Sequence, residues 1–334
     1  MSNFGATILD AEGLRLTEAE KRFFRDVRPF GFILFARNID TPDQVRALTD
    51  EIRQAVGHDA PIMIDQEGGR VQRLRAPHWR EWLPPLDFVE RAGENADSAM
   101  LLRYRIIAAE LRALGIDANC APMVDVARAE THDFLRNRCY GDTPDRVADL
   151  GRAAAEGLLQ GGVLPVVKHI PGHGRAMADS HFDLPHVTVP LDELDSVDFA
   201  PFRELRDLPM GMTAHIVYDA IDDRPATLSP DVIGVIRGQI GFDNLLMTDD
   251  ISMKALSGTL PDITRDSLNA GCDVVLLCNA TLADRARVAG AAGEMTPMAQ
   301  LRAERALAAR KTPAEVDIAA LDAKLDELFA TSGA

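Results

Sequence analysis

Three short segments of the chain concentrate side chains able to move a proton, attack an electrophile or grip a polar ligand. The densest is Lys168-His169-Ile170-Pro171-Gly172-His173-Gly174, followed closely by Asp179-Ser180-His181; together they carry three of the eight histidines. In an extended Asp-x-His segment the first and third side chains fall on one side. Asp179 can therefore hold one ring nitrogen of His181 and leave the other to transfer a proton. Gly172 and Gly174 flank His173 and open backbone angles closed to other residues, so a tight, pre-formed loop is expected there. The second segment is Met247-Thr248-Asp249-Asp250-Ile251-Ser252-Met253. Adjacent carboxylates cannot both point at one site, so Asp249 is expected to face it while Asp250 caps a helix or binds locally. In the third, Asp65-Gln66-Glu67-Gly68-Gly69-Arg70-Val71-Gln72-Arg73, a carboxylate precedes a double-glycine turn with two arginines beyond. Such a carboxylate can accept hydrogen bonds from two neighbouring hydroxyls of one ligand, which suits a sugar. The phosphate-cradling pattern GxxxxGK[ST] is absent.

The elements that would position these groups are legible as alternating patterns. Apolar, β-branched runs at 6–9, 31–35, 61–64, 118–124, 163–169, 210–215, 245–248 and 274–277 read as strands. Helical spacing marks 17–27, 42–56, 99–114, 144–160, 191–205 and 230–239, with two further helices expected over 298–310 and 313–329. Thr41-Pro42, Thr143-Pro144 and Ser229-Pro230 are start signals in which a capping hydroxyl precedes proline at the first helical position. Continuous apolar strands separated by helices imply a parallel sheet buried on both faces. Eight such units with no Pro/Ser-rich linker predict an α/β fold, a closed (β/α)8 TIM barrel forming a single domain over 1–334, in preference to a doubly wound sheet with a second domain. In such a barrel the active site lies at the C-terminal ends of the strands. Polar residues recur there: Asp10, Arg37, Asp65, Asp125, Lys168, His169, His215, Asp249 and Asn279.

Charge narrows the possible partners. Lys+Arg 36 against Asp+Glu 52 gives a formal charge of -16, which repels phosphate backbones and anionic lipid, so neither nucleic acid nor membrane is an expected partner. No apolar run approaches the roughly 18 residues of a membrane span. The N-terminal stretch lacks a cationic region and an apolar core, and the four scattered cysteines form no disulfide framework, so a cytoplasmic protein is expected.

With these motifs in hand, nearly the whole chain closely resembles the β-N-acetylhexosaminidases of glycoside hydrolase family 3, in their short, single-barrel bacterial form. The Lys-His-x-Pro-Gly-His-Gly stretch with its downstream Asp-Ser-His carries the resemblance, since the glucosidases of that family lack the second element. The resemblance implies Asp249 as catalytic nucleophile, His181 as acid/base and Asp179 as its partner. It also implies sugar contacts from Asp65, Arg73, Arg136, Lys168 and His169. Ile170 stands where phenylalanine is common, and Arg138-Cys139-Tyr140-Gly141 replaces a more usual Arg-Ser-Phe-Gly, leaving the Cys139 thiol near the site. The implied activity is a retaining exo-β-N-acetylglucosaminidase of cell-wall recycling. Its implied substrates are N-acetylglucosaminyl-anhydromuramyl peptides; the expected protein is a monomer with no cofactor and no metal.

Retaining glycosidases ordinarily set two carboxyl groups roughly 5 to 5.5 Å apart; here an imidazole replaces one. Protonated His181 would donate to the leaving oxygen while Asp249 attacks the anomeric carbon, and neutral His181 would then deprotonate water. Asp179 should raise the His181 pKa above its ordinary value of about 6.5. Three rivals remain. A zinc amidohydrolase barrel would want His-x-His at the end of the first strand, where this chain has Thr7-Ile8-Leu9-Asp10. A glycoside phosphorylase would depend on phosphate. A non-catalytic sugar-binding barrel would lack a reacting group, whereas Asp179, His181 and Asp249 are all present.

Overall fold

The computed structural model describes residues 3–176, 184–313 and 316–332. Eight parallel strands close into a barrel in chain order: β1 (Gly5–Asp10), β2 (Pro29–Leu34), β3 (Ile62–Ile64), β4 (Ala118–Asn119), β5 (Leu164–Ile170), β6 (Met210–Thr213), β7 (Leu245–Asp250) and β8 (Val274–Leu276). Each strand pairs with its sequence neighbour, and β8 returns to β1 through Thr7 beside Val275 and Ile8 beside Leu276. Side chains alternate along these strands, as extended chain requires. Ala6, Ile8, Ile33, Met63, Val166, Met212, Met247 and Leu276 fill the interior, while Leu9, Phe32, Leu34, Ile64, Val167, Leu246 and Val275 pack on the surrounding helices. Burial on both faces explains why the strands read as unbroken apolar runs. Ala299, Ala303 and Ala306 of the helix Pro297–Ala308 join the interior cluster, small side chains that let this helix approach the barrel closely.

Local chemistry accounts for the helix starts. Thr17 and Glu20 form a reciprocal capping box at Glu18–Val27; Thr41 accepts from the Gln44 amide at 3.3 Å, and Ser229 from the Val232 amide at 3.1 Å. Thr143 precedes its helix without a side-chain cap bond. Four expectations are modified, the first being the helix over 230–239, which is regular at Pro230–Val235 and continues as a wider turn at Ile236–Ile240. The run over 118–124 is ladder only at Ala118–Asn119, because Pro122 has no N–H to continue it, although Met123 still bridges Lys168. The helix expected over 191–205 is divided, with a wider turn at Leu194–Asp198, because Pro201 offers no amide donor. The last helix begins after Asp317, whose carboxylate accepts from the amides of Ala319 and Ala320, and not at Pro313.

Candidate active site

The C-terminal ends of the strands surround a cavity of about 380 Å³. Asp65 follows β3, Lys168 and His169 belong to β5, Asp249 to β7, and Cys278 and Asn279 follow β8; all line it, with Arg73 and Arg138. Asp65 accepts from Lys168 Nζ at 3.0 Å and from Arg73 Nη2 at 3.0 Å. Burial alone would push its carboxyl up, but the two cations outweigh that and hold it well below the usual carboxylate range. Lys168 reaches Glu67 at 2.7 Å, and Glu67 accepts from Arg138 Nε at 2.9 Å and Nη2 at 2.8 Å. Against its burial, Arg138 and Lys168 draw the Glu67 carboxyl down to about 2, and both carboxylates in turn keep the Lys168 ammonium protonated.

Asp65 and its neighbours are held by a hairpin of Gln66–Gly68 with Val71–Gln72. Gly68 turns at φ +117°, and a Cβ there would lie 2.0 Å from Arg103 Nη2, so both the turn and the close approach require glycine. Arg103 is fully buried; it donates to the carbonyls of Glu67 and Leu83 and stacks 4.5 Å from the Phe88 ring. The Gln66 side chain accepts from the amides of Arg73 at 3.0 Å and Leu74 at 3.1 Å, fixing the chain that carries Arg73.

His169 is aimed from behind. Its Nδ1 lies 2.7 Å from Asp125 Oδ2, and Asp125 Oδ1 accepts from the His173 amide at 2.6 Å. Asp125 is fully buried, so it orients the ring and the start of the following loop without entering the cavity. Burial and His169 lower the His173 pKa to about 4, leaving that ring neutral. A Cβ on Gly174 would stand 1.9 Å from the Val126 carbonyl oxygen, which is why this loop needs glycine even where its φ is ordinary.

The two adjacent carboxylates divide as expected in their bonds, although both border the cavity. Asp250 accepts from Ser252 N at 3.0 Å, Ser252 Oγ at 2.7 Å and Cys278 N at 3.0 Å, whereas Asp249 accepts from the Asp250 amide at 2.8 Å. Burial would raise both carboxyls. At Asp250 burial prevails and lifts it to about 6; at Asp249 the neighbouring His169 and His215 rings, the Asp250 amide and the Lys168 ammonium overcome it, and the group stays below its ordinary value. The result is an ionised carboxylate on a cavity wall that also carries Lys168, Arg73 and Arg138.

The structure brings together Asp249, Asp65, Arg73, Lys168 and His169. Asp179 and His181 lie outside the described residues. Arg136 is exposed, donates to the Arg128 carbonyl at 2.7 Å and is not among the cavity-lining residues. Arg138 takes that wall, because the short helix Asp133–Arg136 ends before it and Glu67 draws its guanidinium inward. The thiol at the cavity is likewise Cys278, whereas Cys139 is buried against the Leu135 carbonyl. Sequence reasoning assigned no role to Glu67, although Asp65-x-Glu67 spacing in extended chain places two carboxylates on one side. Phe35 beneath Arg73 and Phe134 near Arg70 carried no sequence signal at all. Among the described residues no cluster of three or more His, Cys, Asp or Glu is arranged to hold a metal.

Residues 8–308 match the glycosyl hydrolase family 3 N-terminal domain. A beta-hexosaminidase of Alkalilimnicola ehrlichii is 38% identical over 282 residues, covering 82% of this chain and 81% of its own. One from Chromobacterium violaceum is 36% identical over 310 residues, covering 90% and 86%. Among solved structures, native NagZ from Neisseria gonorrhoeae superimposes with a TM-score of 0.84 at 31% identity, over 98% of this chain and 96% of that one. The same enzyme in complex with N-trifluoroacetyl-D-glucosamine gives 0.83 at 31% identity, over 98% and 97%.

Proposed function

The chain belongs to glycosyl hydrolase family 3, and on that premise we propose that it is a β-N-acetylhexosaminidase, a retaining exo-β-N-acetylglucosaminidase working through a covalent glycosyl-enzyme. The observation that carries this reading is the ionised Asp249 carboxylate lining one cavity with the Asp65, Arg73, Lys168 and His169 donors and acceptors. Asp65 and the cations beside it grip the hydroxyls of the terminal sugar and fix its anomeric carbon near Asp249. Asp249 attacks that carbon, the leaving oxygen takes a proton from His181 oriented by Asp179, and His181 then deprotonates the water that releases the sugar. The names of the relatives support an N-acetylhexosamine as the sugar.

The finer reading is that the substrates are N-acetylglucosaminyl-anhydromuramyl peptides of cell-wall recycling, hydrolysed in the cytoplasm by residues 1–334 acting as one monomeric catalytic domain. Four free, buried cysteines and a net charge of -16 support a reducing, soluble setting, and no helix among the described residues is long and apolar enough to cross a membrane. The test is nitrophenol release from the aryl N-acetyl-β-glucosaminide in EDTA, for the wild type and Asp249→Asn. Turnover that resists the chelator and vanishes in the variant is expected. Turnover abolished by EDTA, or accelerated by added phosphate, would overturn the metal-free hydrolytic reading, and equal rates on anhydromuramyl peptides and chitobiose would remove the cell-wall assignment.

A further inference from the structure

Glu67 does not line the cavity, yet it holds two of the cations that do. Its carboxylate is 1% exposed and meets Lys168 Nζ at 2.7 Å and Arg138 at 2.8 and 2.9 Å, so both its oxygens are occupied from within the protein. Asp65, on the other side of the same ammonium, is 17% exposed and open to the cavity. Lys168 therefore sits between an inner and an outer carboxylate. An ammonium has three donors; among the described residues Glu67 and Asp65 take two, and the third can serve a ligand. The carboxylates and the Lys and Arg side chains also balance: Lys168, Arg70, Arg73 and Arg138 stand against Asp65, Glu67, Asp249 and Asp250.

Resting on the reading of the site as a glycosidase, we propose that Glu67 is a positioning residue for the reaction, which fixes Lys168 and Arg138 as ligand donors from behind the cavity wall and keeps the charge around Asp249 neutral. Without it, Lys168 has only Asp65 as a carboxylate partner and draws closer to it, competing with sugar hydroxyls for that acceptor. Arg138 loses both of its bonds to Glu67 at once. The groups acting on Glu67 are Arg138, Lys168, Asp65 and, through the Glu67 carbonyl, Arg103, with the Tyr104 and Tyr140 hydroxyls nearby. Those acting on Asp249 are His169, His215, Lys168 and Asp250. Neutralising Glu67 leaves the Lys168 charge, which acts on Asp249, less compensated from behind, so Asp249 is held further into its ionised form and is a weaker nucleophile.

The test is Glu67→Gln, which keeps the shape and removes the charge, in the full chain. We expect kcat/KM on the aryl N-acetyl-β-glucosaminide to fall roughly 10- to 100-fold through both a higher KM and a lower kcat. The acid limb of kcat/KM should move to lower pH, a shift that a merely structural role would not produce. Wild-type kinetics and an unmoved acid limb in a folded variant would overturn the proposal. If Glu67→Gln does not fold, Glu67→Asp keeps the charge and shortens the reach; a raised KM with an unchanged acid limb supports the assignment, and a wild-type KM refutes it. A wild type without turnover would sink the glycosidase reading instead. Positioning is then decided by crystal structures of whichever variant folds, in which Lys168 and Arg138 either shift from their wild-type places, as expected, or remain and disprove it.

Discussion

Two clusters of buried charge sit at the same end of the barrel, and they differ in what they leave unsatisfied. On the β1 and β8 side, Asp10 is 0% exposed and accepts from Arg285 Nε at 2.7 Å, from the Asn279 amide at 2.5 Å and from Arg37. Arg285, itself 1% exposed, comes from the helix Leu282–Ala292 and ties the outer ring to the first strand. On the β3 and β5 side, Asp65 has cations on one flank and the cavity on the other, and Lys168 and Arg138 present donors to the same space. Both clusters grow from an aspartate that ends or follows a strand. Asp10 is enclosed and serves the fold, while Asp65 keeps part of its hydrogen-bonding capacity for a ligand.

The strongest way to sharpen this contrast is Asp249→Asn, which should lower kcat on the order of 10⁴-fold while the urea unfolding midpoint stays near the wild type. Asp10→Asn should do the reverse. Leaving Arg285 buried without its nearest carboxylate should cost about 3 kcal/mol of stability in urea melts, with kcat per folded molecule changed little. If Asp10→Asn instead abolished turnover in a fully folded protein, the two clusters would not be divided as described. Lys168→Met removes one donor from the cavity and should cut kcat/KM by about 100-fold, read in the same nitrophenol assay.

The effect confined to the narrowest range of conditions is a pH dependence of stability. The folded-state Glu67 carboxyl is drawn down to about 2 from an ordinary 4.5. Its stabilising contribution is therefore complete above about pH 4.5 and is lost as pH falls toward 2, because the unfolded chain binds the proton first. Urea melts of wild type and Glu67→Gln should differ most near neutrality and draw together progressively below pH 4.5. A gap that stays constant to pH 3 would show that charge is not what Glu67 contributes.

Much of this is legible in the sequence. The eight strand positions follow from apolar runs, and Asp65, Lys168, His169 and Asp249 follow from polar residues at the ends of those runs. Arg136 and Arg138 could not be separated in the same way: both stand near the end of a short irregular segment, and only the pull of a buried Glu67 decides which guanidinium turns inward. Asp10 and Asp65 carry the same signal at the strand end, and only the double-glycine turn and arginines after Asp65 set it apart in the sequence. Each follows apolar residues near a strand end, and what differs in the fold is the set of donors brought from elsewhere in the chain.

By itself, then, the sequence determined the alternation of elements, their caps and the strand ends that carry charge, because periodicity and local hydrogen bonding act over a few residues. The tertiary structure alone decided which charges meet. Glu67 reaches Arg138 across 71 positions of chain and Lys168 lies 103 from Asp65, so their pairing exists only once the barrel has closed. Closure also sets how much water each group keeps, and that separates a carboxylate sealed into the fold from one open to a ligand.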